Sequence, residues 1–431
     1  VKKIITTLLI TTLSFLQTNA QDVWSSWSHA IPAKGYEGHR FKLQASVKAE
    51  VADDSATARI WARVDRNSGQ GFFENMWKKP IRSNGWKTYT IEGKIDNDAT
   101  QLVVGMLCEL NGKFYFDDFK VEVEKETGKW ETVFTADFEK GTDGFDAGIG
   151  GGGKVGINSF FTGTVYNDAA AKNKSFLIEA KDIINYGDNK KVGKFANVNG
   201  IKIYYEIYGE GAPLLVLHGN GGSVASASAF YGELSKKYKV IAIDNRAQGK
   251  STDTNEPLNY DIMASDINAL LDQIHVDSAF IWGQSDGAIL GLLMAMDYPK
   301  KAKRVIAYGV NTLPDSSAVY GWAVTALNKT IANSKDAKEV KLYTMMRDFP
   351  NIPYEKLHTI SAPCLIMGGD RDVIRPEHLV KIYQNIRNSQ LCIMPGSTHG
   401  GAWENHEAFL TILNNFFTKS FRMPDTKSWF E

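Results

Sequence analysis

Ser285 stands between two glycines in the stretch Ile-Trp-Gly-Gln-Ser-Asp-Gly at 281–287, directly after one apolar run and directly before another. The run at 277–283 predicts a short buried strand, and 288–299 predicts an apolar helix ending near Pro299. Gly283 and Gly287 have no Cβ, so two backbones can close in around the corner, the G-x-S-x-G arrangement that holds a hydroxyl exposed in a strained bend. A serine hydroxyl is a weak nucleophile at neutral pH. It needs a base within hydrogen-bond reach, and an acid to hold that base in the right tautomer. Two later loops carry those residue types: Asp370-Arg371-Asp372 after the apolar run 363–369, and Ser397-Thr398-His399-Gly400 after 389–396. An earlier loop, Asn220-Gly221-Gly222, follows the apolar run 213–219 and offers backbone donors. The chemistry these groups could share is nucleophilic acyl transfer.

Such groups must be positioned by the elements around them. From Phe195 onward, helix-like stretches (226–238, 259–274, 375–386, 406–419) alternate with apolar strand-like runs (239–245, 277–283, 304–310, 363–369, 389–396). Apolar strands separated by helices imply a mostly parallel sheet with helices on both faces, and in such sheets ligands sit at the C-terminal ends of the strands. All the loops named above lie there. From Asp22 to about Glu179 the grammar differs: apolar and polar residues alternate in short runs, split by Asn67-Ser68-Gly69, Ser83-Asn84-Gly85 and Asn111-Gly112. That is strand and hairpin chemistry, and it predicts an antiparallel β-sandwich over 21–188. The Gly-rich segment 141–156 could be a flexible linker, but strand-like runs resume at 159–167 and 174–180, so the boundary is expected near 186–194.

The second half, 195–420, resembles the α/β-hydrolase superfamily. The resemblance rests on "LHGNGG" (217–222), "DNRAQGKS" (244–251), "GQSDG" (283–287), "GGDRDVIRP" (368–376) and "PGSTHG" (395–400), in matching order and spacing. It implies the chain order Ser…Asp…His, with Ser285 as nucleophile and His399 as base. It selects Asp372 as the acid, with Asp370 as the alternative. It also implies an oxyanion hole from the backbone N–H groups of Asn220 and Asp286, with His218 ordering the loop. Ala247 stands where relatives usually carry glycine. The insertion 311–360 is expected to form a small helical cap, whose Trp322, Tyr343, Met345 and Met346 could line an acyl pocket or simply pack onto the core. The run 112–124 resembles the closing strand of carbohydrate-binding, jelly-roll modules. Six of the ten tryptophans (24, 27, 61, 77, 86, 130) fall in the first 130 residues, so sugar stacking competes with core filling as their role.

Composition narrows the function classes. At 431 residues two domains are expected, and 43% hydrophobic residues with 12 prolines suit a globular chain. A formal net charge of zero implies no nucleic-acid or anionic-membrane partner. Lys2 and Lys3, the apolar stretch 4–16 and Ala20 read as a signal peptide over 1–20, and hence a periplasmic or secreted protein with no stable membrane anchor. The three cysteines, Cys108, Cys364 and Cys392, make no disulfide framework. Cys364 and Cys392 read as buried strand residues that could still pair. No metal-ligand spacing occurs, so no cofactor is expected. The leading expectation is an exported serine hydrolase acting on carboxylic esters, small or glycan-linked. The alternatives are a lactonase or peptidase of the same superfamily, or a binding or adhesion protein whose hydrolase-like half is inactive.

Overall fold

The computed structural model describes residues 23–150, 155–169 and 173–429; the expected signal peptide lies outside them. The chain divides into two compact units, one ending at Asn185 and one starting at Tyr186.

The first unit contains β1 (Trp24–Pro32), β2 (Arg40–Val51), β3 (Thr57–Arg66), β4 (Gly69–Glu74), β5 (Lys87–Lys94), β6 (Ala99–Glu109), β7 (Gly112–Glu126), β8 (Lys129–Ala136), β9 (Asp146–Ala147), β10 (Phe161–Asp168) and β11 (Asn173–Ala180). They form two antiparallel sheets, in the orders β4-β3-β6-β1-β9 and β10-β11-β7-β2-β5, with β8 added to β7. Strand β2 shows why: Phe41, Leu43, Ala45, Val47 and Ala49 are buried and the residues between them are not, the period-two pattern of a strand with one wet face. They share one core with Ala58, Ile60, Ala62 and Val64 of β3 and Leu102, Val104 and Met106 of β6, so the two sheets face each other. The described part of the Gly-rich segment is not a linker. Its Gly148 donates N–H to Ser26 O at 2.7 Å and accepts from Ser28 Oγ at 2.9 Å, which ties it to β1.

The second unit contains β12 (Lys194–Val198), β13 (Ile201–Tyr208), β14 (Ala212–Leu217), α1 (Ser228–Leu234), β15 (Tyr238–Ile243), α2 (Tyr260–Gln273), β16 (Ala279–Gln284), α3 (Asp286–Asp297) and β17 (Ala302–Tyr308). The insertion follows as α4 (Gly321–Asn333), α5 (Ala337–Asp348) and α6 (Tyr354–Leu357). Then come β18 (Cys364–Gly369), α7 (Pro376–Asn385), β19 (Ser389–Met394), α8 (Gly401–Glu404) and α9 (His406–Thr418). One eight-stranded sheet runs β12-β13-β15-β14-β16-β17-β18-β19, antiparallel at its first two pairings and parallel from β15 onward. Its strands are buried on both faces: Leu215, Ile241, Ile281 and Ile366 join one core, and Leu214, Val240, Trp282 and Leu365 join the other. That accounts for their continuous apolar sequence.

The cysteine pairing that the sequence leaves open does not occur, and two burial expectations change. Cys364 and Cys392 are free thiols on neighbouring strands, but Cys364 lies opposite Ser389 and Cys392 opposite Met367, so their register keeps them apart. Cys392 is half-buried because β19 is the edge strand. Trp322 lies on α4 with 61% of its surface exposed, so it lines no buried pocket.

The long turn after β15 is fixed by a buried ion pair. Arg246 donates from Nε and Nη2 to the two Asp266 carboxylate oxygens at 2.6 and 2.8 Å, and Asn199 Nδ2 donates to the same carboxylate at 3.0 Å. Both side chains are at most 5% exposed. Removing one partner strands the other charge away from water. Asp266→Ala should therefore lower stability by about 3–5 kcal/mol in urea denaturation, far more than loss of a surface pair.

Candidate active site

Ser285 sits between β16 and α3 at φ 54° and ψ −118°, a left-handed conformation rare for a residue with a side chain. Such a conformation costs on the order of 1–3 kcal/mol and persists only where the surroundings enforce it. Here they do. A Cβ on Gly283 would lie 2.1 Å from Gly287 O, and one on Gly287 would lie 2.1 Å from Leu217 O. The two glycines let β16, the first turn of α3 and the end of β14 interpenetrate. The Ser285 N–H donates to Tyr308 O at 2.9 Å, which pins the corner to β17. The side chain is half-buried, with its neighbours Gln284 and Asp286 fully buried.

His399 and Asp372 meet directly. Nδ1 of His399 is 2.6 Å from Asp372 Oδ1, which also accepts the Ile374 N–H at 3.0 Å. The carboxylate is fully buried, whereas the imidazole keeps 30% of its side-chain surface. Since Oδ1 can only accept, the proton is on Nδ1, leaving the Nε2 lone pair free. Burial alone would raise Asp372, but the neighbouring imidazole and its hydrogen bond hold it below the usual carboxylate range. Burial would lower His399; the charge and hydrogen bond of Asp372, with a further contribution from Asp286, reverse this and raise it. Asp370 does something else: its Oδ1 accepts the Ser397 N–H at 3.2 Å, tying the loop after β18 to the loop after β19.

Ser285 and His399 converge on the end of β17. A Cβ on Gly309 would lie 2.6 Å from His399 Cε1, so the ring rests against the residue following Tyr308, whose carbonyl holds Ser285. Gln284 Nε2 donates to His399 O at 2.6 Å, and Tyr308 Oη donates to Thr398 O at 3.0 Å. Among the described residues Ser285 Oγ makes no hydrogen bond to the imidazole; such bonds often tighten only with substrate present.

The loop after β14 lies against Ser285: a Cβ on Gly219 would be 3.2 Å from Ser285 Cβ. His218 is buried and pushed down to about 4 by its desolvation, hence neutral at pH 7. Its Nε2 accepts the Asn245 N–H at 3.0 Å, so Nδ1–H donates to Gly219 O at 2.7 Å. Gln248 Oε1 accepts the Gly221 N–H at 2.6 Å. Among the described residues the Asn220 N–H donates to no protein acceptor. The Asp286 N–H opens α3, where backbone donors have no partner within the helix. Ala247, the departure from the glycine usual in relatives, adopts φ 65°, so the chain keeps the glycine-like turn despite the added methyl.

Several of these contacts were not foreseen from sequence: Gln248, Tyr308, Gly309 and Gln284. Only the glycine directly after an apolar strand at 304–308 offered a signal, and it named no partner. A cavity of about 920 Å³ elsewhere in this unit is lined by Leu391, Cys392, Phe416, Phe421 and Met423 and includes none of the site residues. Among the described residues no cluster of His, Cys, Asp or Glu is arranged to hold a metal ion, and no helix is long and apolar enough to cross a membrane.

The electrostatics yield a direct test. His399 should titrate above the usual imidazole value, because its protonated form is paired to a buried carboxylate. Asp372→Asn should move that titration down, as should Gly309→Ala, which pushes the ring off its seat. NMR of the imidazole protons would follow all three; an unshifted titration in both variants would contradict the pairing.

Residues 212–323 match the family described as alpha/beta hydrolase fold. The chain is 26% identical over 267 residues to a Synechocystis protein described as "Putative non-heme chloroperoxidase", a match spanning 50% of this chain and 95% of that protein. It is 28% identical over 129 residues to one from Azorhizobium caulinodans described as "Putative carbamate hydrolase", spanning 30% of this chain and 44% of that one. Among solved structures, the enol-lactonase from Burkholderia xenovorans aligns over 52% of this chain and all of its own, at 19% identity and a TM-score of 0.45. The family match, the parallel sheet of 212–394 and the strand-to-helix turn at Ser285 agree: the C-terminal half of this chain has the alpha/beta hydrolase fold.

Proposed function

We propose that the protein is an exported serine hydrolase that cleaves carboxylic esters through an acyl-enzyme. The observation that carries this reading is the buried Asp372 carboxylate bonded to His399 Nδ1 at 2.6 Å, which leaves the Nε2 lone pair free on a ring seated against Gly309, next to the Tyr308 carbonyl that holds the strained Ser285 corner. Ser285 Oγ attacks the ester carbonyl carbon while Nε2 takes its proton. The resulting oxyanion lies between the backbone N–H groups of Asn220 and Asp286, fixed donors that act without reorganising. The tetrahedral intermediate expels the alcohol, which leaves with the proton from Nε2. Water then adds to the acyl-enzyme with the same proton transfers, releasing the carboxylic acid and restoring the Ser285 hydroxyl. A hydrolase is in keeping with the family match at 212–323.

Export rests on the basic, apolar and small-residue pattern of 1–20. For the first unit we favour a jelly-roll-like sandwich that contacts polysaccharide, which would direct the enzyme to glycan-linked esters. Exposed Trp77 and Trp86 support this, at 66% and 46% of their surface; Trp27 and Trp61 fill buried positions instead.

Nitrophenyl esters of rising acyl length and acetylated polysaccharides provide the test, alongside a fluorophosphonate label. Wild-type protein should take up the label at Ser285 and hydrolyse at least one ester class. Ser285→Ala should abolish labelling and lower kcat by about 10⁴-fold or more. Since the base must be neutral, kcat/KM should rise with pH through a value above that of a free imidazole, and Asp372→Asn should shift this limb down along with a large fall in rate. Undiminished turnover in Ser285→Ala would overturn the assignment.

A further inference from the structure

The two residues assigned to the oxyanion hole are joined by their own side chains. Asn220 Nδ2 donates to Asp286 Oδ2 at 2.9 Å, across 66 positions of sequence. Tyr260 Oη, from the first residue of α2, donates to Asp286 Oδ1 at 3.0 Å. Asp286 is 3% exposed and Tyr260 likewise, so water does not compete for these bonds. The carboxylate thus accepts from a loop after β14 on one side and from a helix anchored in the core on the other.

We propose that Asp286 is a positioning residue whose carboxylate clamps Asn220 and thereby sets the spacing of the two backbone N–H donors. The proposal rests on the acyl-transfer reading of Ser285. An oxyanion hole works only if both donors reach one oxygen, at about 2.7–3.1 Å from where the charge develops. One donor, Asp286 N–H, is fixed by the elbow. The other belongs to a loop with glycines at 219, 221 and 222, whose backbone is intrinsically free. Gln248 and His218 hold Gly221 and Gly219, on either side of Asn220. Among the described residues only the Asp286 bond acts on Asn220 itself, and it links Asn220 to the residue carrying the opposite donor. A carboxylate near a developing oxyanion would oppose it if its charge were free. Here both oxygens are engaged, and Asp286 lies in the first turn of α3, where the helix dipole favours negative charge. Burial pushes its carboxyl up to about 6, while the bonds from Asn220 and Tyr260 and the charge of His399 pull it down.

Asn220→Ala is the informative variant, because it keeps the backbone donor and deletes only the clamp. Asp286→Leu deletes the other half, and Asp286→Asn retains an oxygen facing Asn220. On an ester hydrolysed by the parent, Asn220→Ala and Asp286→Leu should each lower kcat about 10²-fold with KM changed less than threefold, the size of effect expected when a donor is misplaced. The double variant should lose little more than either single, since both remove one interaction. Asp286→Asn should recover most of the rate. Thermal melts confirm that each variant is folded; if Asp286→Leu does not fold, Asn220→Ala and Asp286→Asn decide. Folded Asn220→Ala with kcat within twofold of the parent overturns the clamp and leaves the acyl-transfer reading standing, as would fully additive losses. Parent protein that neither labels at Ser285 nor cleaves any ester overturns that reading itself, and the clamp with it.

Discussion

The site depends on one desolvated contact, the bond between the Asp372 carboxylate and the His399 imidazole. A fully buried carboxylate is costly unless it is paired and hydrogen-bonded. Asp372 has one oxygen shared by His399 Nδ1 and the Ile374 N–H, and its other oxygen has no partner among the described residues. The imidazole therefore supplies most of what stabilises the charge, and the charge in return fixes the tautomer and plane of the ring. Two loops must meet for this to happen. Parallel pairing of β18 with β19 places Gly369 beside Met394, so the chain leaves both strands at the same edge. Asp370 then holds Ser397, and Gly369 packs so tightly that a Cβ would lie 2.0 Å from Ser397 O. The sheet register thus decides the chemistry at the loops.

The corner at Ser285 is built on an opposite principle, steric crowding in place of charge pairing. Ser285 adopts its left-handed backbone because β16, α3 and β14 come closer than any side chain allows at Gly283 and Gly287. The strain is offset by the packing of β14, β16 and β17 over both cores, in which Ile281, Trp282, Leu215 and Ile306 are all fully buried. A rigid sheet edge is what makes a strained loop affordable there. The same edge serves both halves of the site, for Tyr308 O binds the Ser285 N–H while Gly309 seats the His399 ring.

Much of this was legible in the sequence because each chemical residue directly follows an apolar strand. The alternation of helix and apolar strand after Phe195 gave a parallel sheet, and that alone put Ser285, Asp372, His399 and Asn220 at a common edge. Periodicity of two across 39–51 likewise anticipated the buried face of β2. What stayed hidden were contacts that no local pattern encodes. Gln248 reaches Gly221 across 27 positions, Gln284 reaches the His399 carbonyl across 115, and Tyr260 meets Asp286 from a helix that reads only as amphipathic. The register of β18 against β19, which separates Cys364 from Cys392, is equally invisible to composition, since both strands are simply apolar. Trp322 takes neither role its sequence offered, a pocket wall or a residue packed onto the core, because it is exposed on a helix, α4, that has no fully buried residue.

The two halves of the site are held largely by different elements. On the base side, His399 is held by Asp372, Gln284 and Gly309, all carried by β16, β17 and the loop after β18. On the donor side, Asn220 is held through Asp286, Tyr260, Gln248 and His218, carried by the loops after β14 and β15 and by helices α2 and α3. Ser285 and Asp286 join the two sets along the chain, and Gly219 packs against Gln284, where a Cβ would lie 3.4 Å from the Gln284 carbonyl oxygen. On the proposed acyl-transfer reading, proton transfer and charge stabilisation draw on different loops at this end of the sheet, with the strained corner at Ser285 between them.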